Sequence, residues 1–557
     1  MSAKLRVAGI AASLAALTIL ILLVARPSLD PARIKPLVLV IGAWVAFGCA
    51  AWLLRKVTVR LAVGLILAGG IAVQVAALSG PPQNSSDLYR YIWDGRVQAA
   101  GIDPYLYAPG DAGVVALRNH FLWPSTRPGT GPGHYGGCVK KNRPSAVDPA
   151  YSLVVGCTMV NRPGVPTVYP PVAEAYFLAV QLAAPGDDST TPVQAAAAAF
   201  AMLTTVILLF GLRGLGKDPR LAALWAWCPT VALEAGQNGH VDVVAVTLTL
   251  MALLLLARAR TEGRTVLGGV LLGLAIATKV TPVLVVPAVL RRGWLLISAS
   301  AVAAISLVYA PHVMAVGRKI LGFLPGYLKQ EGYSTGNGFS VIGLFVHGRL
   351  ATAAAVVILG VIALAIIRFG DPGQPWRGGV LMTAAALAVC TPRFQWYAIL
   401  LVMLVALDGR PEWLAIAAGG YLAGDTHLRI DGIAIHDPRL LGYGGGAAIA
   451  GACALARYLL TQRAGAGSEP APAADAMTTD AVSASAAATP SDLPAAADAG
   501  GTGDAGGTRD AGGTGSAHDA TEPVIEPAAV FAPPVTVTIG ADGAPAFATV
   551  PDSASGD

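Results

Sequence analysis

Long apolar stretches separated by short basic segments recur along the first 460 or so residues of the chain. Most of them approach the roughly 20 residues that a helix needs to cross the hydrocarbon core of a bilayer. The pattern predicts twelve spans, at 7–25, 36–54, 61–79, 193–212, 220–236, 240–257, 293–311, 350–368, 378–391, 395–408, 412–424 and 441–461. The predicted fold class is all-α, a polytopic membrane protein with about 12–14 transmembrane helices.

The apolar stretch at 266–290 has two interpretations. It could cross the membrane twice, as two short helices that meet near Lys279, or once, as a single helix. The double crossing is preferred because it keeps all basic clusters on one side. The single crossing would invert everything downstream.

Lysine and arginine in short loops stay in the cytoplasm, so they predict the orientation. The double crossing places every basic cluster inside, at Lys4/Arg6, Arg55/Lys56/Arg60, Arg213/Lys217/Arg220, Arg258/Arg260/Arg264, Arg291/Arg292, Arg368/Arg377 and Arg463. Both termini are then cytoplasmic, and the segments 80–192, 312–339 and 425–440 lie outside. Within the first of these, residues 169–186 predict a partly embedded or interfacial helix.

Composition supports this picture and adds a tail. Hydrophobic residues make up 54% of the 557 residues and charged residues only 13%, which excludes a water-soluble globular protein. Residues 464–557 hold 13 acidic residues and one basic residue, Arg509, and predict a disordered acidic tail after a membrane domain at 1–463. The excess of basic residues in 1–463 sits in short loops, so no nucleic-acid partner is expected. Abundant Ala and Gly, with Arg favoured over Lys, fit a GC-rich bacterium, and the expected location is its plasma membrane.

Two of the six cysteines, Cys138 and Cys157, lie in the predicted outer segment. In an oxidising compartment they could form a disulfide, and two free thiols are the alternative. The other four fall in or near predicted spans, where a thiol behaves as a small hydrophobic group. The spacing of the cysteines matches no zinc motif.

The densest mixture of polar and aromatic residues is SSDLYRYIWDGRVQAAGIDPYLYAP, at 85–109. A helix over 86–99, capped by Ser85 or Ser86, would place Asp87, Arg90 and Asp94 on one face. A carboxylate at the end of a membrane helix could act as a general base on a sugar hydroxyl. In the alternative interpretation Asp87 caps the helix and Arg90 pairs with Asp94.

Two further groups place ionisable residues in or near predicted spans, where burying a charge costs free energy. AGQNGHVDVVAV, at 235–246, contains His240 and Asp242, which could line a donor site or simply occupy a solvated turn. Lys279 lies in an apolar stretch, where it could bind a phosphate or snorkel to the surface.

A third group, CTPRFQWYAIL, places Arg393, Trp396 and Tyr397 at the outer start of a span. Arg393 is a candidate phosphate ligand, because guanidinium groups bind phosphate oxygens in a bidentate manner, or else a headgroup anchor. Glu174 and the outer loop 325–340 are weaker candidates. The sequence contains no Walker loop, dinucleotide fingerprint, HExxH or GxSxG motif, so it gives no support for nucleotide-driven or hydrolytic chemistry.

The segments SDLYRYIWDGRV, GIDPYLYAP, YPP, NGHVD and the lysine stretch, on a polytopic body, resemble the GT-C glycosyltransferases. Within them the chain is most similar to actinobacterial polyprenol-phosphate-mannose-dependent mannosyltransferases. The resemblance implies a membrane-embedded inverting enzyme with a lipid-phosphate sugar as donor and an acidic base in its first large outer loop. Asp87 matches that base, although here the loop follows the third predicted span and not the first.

The resemblance leads to a specific expectation. Asp87 and Asp94 are the candidate catalytic residues, and Arg90, His240, Asp242, Lys279, Arg393 and Tyr397 the candidate residues for binding the donor and its phosphate. The partners would be a polyprenyl-phosphate sugar donor, mannose by resemblance, and a lipid-linked saccharide acceptor in the cell envelope. No cofactor is expected, and dependence on a divalent metal is open because Asp94 lacks an Asp-x-Asp partner. The alternatives are a transporter or flippase of a lipid-linked sugar and a catalytically inactive envelope scaffold.

Overall fold

A computed structural model describes residues 2–30, 35–123, 158–424, 429–430, 433–434 and 437–466. It confirms an architecture of packed apolar helices. The helices are α1 (Ala3–Ala25), α2 (Pro36–Leu54), α3 (Val59–Ala77), α4 (Asp87–Ala99), α5 (Pro171–Ala183), α6 (Thr191–Gly214), α7 (Ala223–Ala226), α8 (Asp242–Leu256), α9 (Glu262–Ile276), α10 (Val286–Val289), α11 (Trp294–Val316), α12 (Leu324–Gln330), α13 (Arg349–Phe369), α14 (Pro375–Cys390), α15 (Ile399–Asp408), α16 (Leu414–Gly424) and α17 (Gly445–Ala466). Two short strands, β1 (Arg429–Ile430) and β2 (Ile433–Ala434), pair antiparallel.

Fewer of these helices are long and apolar than the predicted spans suggest. Among the described residues six could cross a membrane by length and composition, and a seventh is possible if the π-helix Val231–Gln237 and α8, bent by 119°, form one span. The predicted span 220–236 illustrates the difference. It consists of a 3-10 turn at Pro219–Ala222, the four-residue α7 and the π-helix, with Pro219 and Pro229 unable to donate helical hydrogen bonds.

Glycines reveal the direction in which neighbouring helices run. A Cβ atom on Gly9 would lie 3.1 Å from Leu53, and one on Gly42 would lie 3.3 Å from Leu20. Helices α1 and α2 are therefore antiparallel. The Nη1 of Arg6 donates to the carbonyl of Lys56 at 2.9 Å, so the first two basic clusters lie together.

Helices α6 and α8 run parallel. The hydroxyl oxygens of Thr204 and Thr247 are 2.7 Å apart, and Gly211 packs against Leu254 seven residues further along each helix. Both helices therefore end, with their basic loops, at the same end of the bundle. We call this the basic end.

The direction of α11 bears on the two interpretations of 266–290. A Cβ atom on Gly269 would lie 2.7 Å from the carbonyl of Ile297, and one on Gly273 would lie 2.4 Å from that of Ala301. Helices α9 and α11 are therefore parallel, so the chain must return between them, through the 3-10 turn Thr281–Val285 and α10. This agrees with two short crossings and places Arg291 at the basic end.

Later elements extend the basic end. Lys217 Nζ donates to the carbonyl of Leu407 at 2.6 Å, Arg377 Nε lies 3.5 Å from Asp408 Oδ1, and Arg457 Nη2 donates to Glu412 Oε2 at 2.8 Å. The beginning of α8 and the end of α9 lie at the opposite end, which carries the site described below.

The predicted outer segment 80–192 contributes α4 and α5, which pack on each other. Helix α4 begins and ends within one residue of the predicted 86–99, and α5 lies within the predicted interfacial helix 169–186. A Cβ atom on Gly95 would lie 2.6 Å from the carbonyl of Phe177, so glycine permits the close approach. Cys138, Cys157 and nearly all of the predicted tail lie outside the described residues.

Candidate active site

A cavity of about 920 Å³ opens at the end of the bundle opposite the basic end. It lies between the start of α4, the end of α9, the segment 320–339 and the helices α13 and α14. Polar side chains line one part of the cavity. They belong to Asp87, Asn161, Arg162, Lys279, Tyr327 and Tyr397. Apolar side chains line another part, including Val283, Leu284, Ala355, Val356, Leu359 and Leu387. The cavity therefore offers both a charged region and a hydrocarbon-like region.

Asp87, the first residue of α4, lines the cavity. Its N–H donates to the Oγ of Ser85 at 3.1 Å, and Ser86 occupies the N-cap position of α4, so the Asp87 carboxylate does not cap the helix. Asn161 Nδ2 donates to Asp87 Oδ1. The carboxylate is thus held at one oxygen, in a half-buried position at the edge of the cavity.

Lys279 also lines the cavity, just beyond the end of α9. Its Nζ lies 2.9 Å from Asp242 Oδ2 and 5.3 Å from the centre of the Tyr169 ring. The Lys279 side chain is only 14% exposed, so it is paired and does not snorkel to the surface. Asp242 stands behind it, 3% exposed and not among the residues that line the cavity.

A second cation at the cavity, Arg162, escaped sequence analysis. Its guanidinium lies 5.3 Å from the centre of the Tyr327 ring, and its Nη2 lies 3.9 Å from Glu331 Oε1. The backbone of Arg162 adopts a left-handed conformation, with φ of 45°. Nothing in its local sequence distinguishes Arg162 from other loop arginines, because its partners come from more than 160 residues further along the chain.

Of the candidate residues at 393–397, one lies on the surface and two line the cavity. Arg393 is exposed and is not among the residues that line the cavity. Tyr397 lines it and shares a hydrogen bond between hydroxyl groups with Tyr327. Trp396 lines it too, and its ring stacks on the rings of His240, at 4.1 Å between centroids, and Phe394, at 4.3 Å.

His240 lies behind the cavity wall. It is fully buried, with its Nε2 3.6 Å from Glu234 Oε2 and its Nδ1 3.4 Å from the hydroxyl of Tyr91. It is not among the cavity-lining residues, but its ring stacks on Trp396, which lines the cavity. The structure thus brings the NGHVD segment close to the cavity but not into it.

Arg90 and Asp94 are placed as the alternative interpretation describes. Arg90 Nε lies 2.9 and 3.0 Å from the two oxygens of Asp94, and its Nη1 donates to the carbonyl of Val165 at 3.2 Å. Both side chains are buried, and neither lines the cavity. The helical spacing is as predicted, but only Asp87 of the three meets the cavity.

Glu174, on α5, is fully buried beside this pair. Its oxygens accept hydrogen bonds from the Thr167 hydroxyl at 2.7 Å and from Gln98 Nε2 at 2.8 Å. Burial, and next the nearby Asp94 carboxyl, raise the pKa of Glu174 well above its usual value. Burial also raises the pKa of Asp94, but Arg90 opposes that shift. The upward shift is therefore larger for Glu174 than for Asp94.

Within the described ranges, no group of three or more His, Cys, Asp or Glu side chains is arranged to hold a metal ion. The expectation that metal dependence is open therefore stays as the sequence left it.

Comparison with known proteins adds one match. A family model described as Glycosyltransferase family 87 matches residues 167–392, which include Lys279, Asp242 and His240 but not Asp87. The match indicates a membrane glycosyltransferase, in agreement with the GT-C resemblance. No curated protein and no solved structure matches the chain significantly.

Proposed function

We propose that the protein transfers a hexose, mannose by resemblance, from a polyprenyl-phosphate sugar to a cell-envelope glycolipid or glycan. The observation that supports this most is the divided cavity, in which one carboxylate and two cations face a space with a long apolar side. A lipid-phosphate sugar has the matching parts, namely an anionic phosphate, a polar sugar and a hydrocarbon chain.

The apolar side of the cavity suits the prenyl chain. Val280 and Val356 line the cavity and are also 57% and 66% exposed on the surface of the bundle. In a bilayer such exposed apolar side chains would face hydrocarbon. A prenyl chain could therefore lie between the cavity and the lipid with little apolar surface meeting water.

In the proposed reaction Asp87 is the general base. Its carboxylate removes the proton of an acceptor hydroxyl, whose oxygen attacks the anomeric carbon while the bond from that carbon to the phosphate oxygen breaks. The lipid phosphate leaves with the bonding electrons, and the sugar configuration inverts. Lys279 and Arg162 would stabilise the charge that develops on the leaving phosphate. Arg393, which the sequence favours, is placed on the surface.

The proposed location follows from the two ends of the bundle. The basic end would face the cytoplasm by the positive-inside rule, with both chain termini on that side. The cavity would then open on the extracytoplasmic face of a bacterial plasma membrane. There it would meet a lipid-linked donor and acceptor.

The test is transfer of label from radiolabelled polyprenyl-phosphate mannose into envelope glycolipids by purified protein in lipid nanodiscs. Asp87→Asn should lower turnover by about 10²- to 10⁴-fold, because it removes the base but keeps the oxygen that Asn161 contacts. Asp187→Asn, at an exposed aspartate between α5 and α6, is the matched control and should retain wild-type turnover.

Near-wild-type turnover of Asp87→Asn would show that Asp87 is not the base. Absence of transfer from mannose and from other polyprenyl-phosphate sugars, with donor binding intact, would favour a lipid-linked sugar transporter instead.

A further inference from the structure

A cluster of buried polar side chains lies behind the cavity, at the break between the π-helix Val231–Gln237 and α8. Glu234, Gln237 and Asn238 are each 0% exposed. Polar groups buried this deeply in a membrane-embedded bundle are costly unless they are hydrogen-bonded. None of the three is among the residues that line the cavity, so the direct chemistry proposed above does not use them.

The cluster holds the segment of chain that leads to Asp87. Asn238 Oδ1 accepts hydrogen bonds from the backbone N–H groups of Gln83 at 3.1 Å and Asn84 at 3.4 Å. Gln194, which is also buried, donates from its Nε2 to the carbonyl of Gly80 at 2.9 Å. Asn238 therefore fixes the backbone three to four residues before the carboxylate.

Glu234 determines which way the Asn238 amide faces. Asn238 Nδ2 donates to Glu234 Oε2 at 3.0 Å, and the hydroxyl of Tyr421 donates to Glu234 Oε1 at 3.0 Å. With its nitrogen held by the carboxylate, the amide presents its oxygen to the two backbone N–H groups. The Oγ of Ser85 then accepts a hydrogen bond from the N–H of Asp87, which links this segment to the start of α4.

We propose that Glu234 and Asn238 are positioning residues for the transfer reaction. They fix residues 83 and 84, and through them the Asp87 carboxylate, without touching the substrate. The inference rests on the proposed function. It adds a role for buried residues that take no direct part in the proposed reaction. A displacement of the base by about 1 Å can reduce the rate about 100-fold, so this support would matter for turnover.

The first test is Asn238→Leu, which has similar size but makes neither hydrogen bond. In the nanodisc transfer assay with radiolabelled polyprenyl-phosphate mannose, its kcat should fall about 10- to 100-fold while KM for the donor changes less than about threefold. Glu234→Leu should behave alike. Glu234→Gln should keep most of the turnover, because one amide oxygen still accepts from Asn238 and the Tyr421 hydroxyl can turn to accept from the amide nitrogen.

The control is Thr204→Val, which also removes a buried hydrogen bond, that between Thr204 and Thr247 at 2.7 Å, away from the cavity. It should lower thermal stability but leave kcat unchanged. Asn238→Ser, with a side chain too short for these contacts, replaces Asn238→Leu if the leucine variant does not fold.

Three outcomes would overturn the positioning role. These are an unchanged kcat in the folded Asn238 variant, equal loss of turnover in Glu234→Gln and Glu234→Leu, and a loss that appears in KM with kcat retained. Failure of the proposed function would look different, since the wild type itself would then transfer no sugar, and failure of Asp87 as the base would leave Asp87→Asn active. Loss of activity in Asp87→Asn together with full activity in Asn238→Leu contradicts the positioning role alone.

Discussion

At the scale of single residues, burial separates carboxyl groups that look alike in the sequence. Asp87 and Asp94 lie in one short helix, yet Asp87 meets the cavity and Asp94 is paired with Arg90 in the interior. Glu174 lies beside that pair, where burial and the nearby Asp94 carboxyl raise its pKa well above the usual value. Its protonation has a measurable consequence for stability.

The pKa of Glu174 is raised in the folded state, so the folded protein retains this proton to a higher pH than the unfolded chain. Stability should therefore fall as the pH rises from the unfolded value, about 4.3, towards the raised folded value, by at most about 1.4 kcal/mol per pH unit. Glu174→Gln should match the wild type below about pH 4 and unfold at a higher temperature than the wild type in neutral and alkaline buffer.

The check is the thermal unfolding midpoint of both proteins in detergent across this pH range, with Glu262→Gln, at an exposed glutamate, as the control. An unchanged pH dependence in Glu174→Gln would mean that another group causes it.

At the scale of elements, the packing of α9 on α11 places Lys279 at the cavity. The two helices run parallel and approach at Gly269 and Gly273, where a side chain would meet the backbone of α11. Because α9 is short and ends at Ile276, the lysine follows directly and reaches Asp242. The close approach of these helices is therefore a condition for the geometry of the site.

Gly273→Ala should destabilise the protein by about 1–3 kcal/mol, because its methyl group would lie 2.4 Å from the carbonyl of Ala301. It should also weaken donor binding by displacing Lys279. Gly263→Ala, in the same helix with no atom within 4 Å of the added carbon, should be neutral or stabilising by at most about 1 kcal/mol. Thermal unfolding and the donor KM of both variants test this, and equal behaviour of the two would contradict the packing.

At the scale of the whole molecule, the basic clusters and the cavity lie at opposite ends. Parallel packing of α6 with α8 and of α9 with α11 requires this arrangement, whichever way the protein is inserted. The positive-inside rule then selects one of the two orientations.

Single cysteines introduced into a variant whose native cysteines are changed to alanine can test the orientation. Asp187→Cys lies before α6, at the cavity end, and Arg260→Cys lies between α8 and α9, at the basic end; both native residues are exposed. In intact cells a membrane-impermeant thiol reagent should label the first and reach the second only after permeabilisation. The reverse pattern would place the cavity in the cytoplasm.

The sequence by itself determined the features that depend on neighbouring residues. Apolar length predicts the long membrane helices, six of which are long and apolar enough to span a bilayer among the described residues, and the pattern around Asp87 predicts α4 almost to the residue. Lys279 stood out because a lysine in an apolar stretch needs a partner, whatever that partner is.

Only the tertiary structure decided which polar groups share the cavity. Asn161 reaches Asp87 across 74 positions, and Arg162 rather than Arg393 supplies the second cation. Asn238 reaches the segment before Asp87 across 155 positions. Hydropathy and helical spacing describe residues a few positions apart, whereas these contacts depend on how helices distant in the sequence pack against each other.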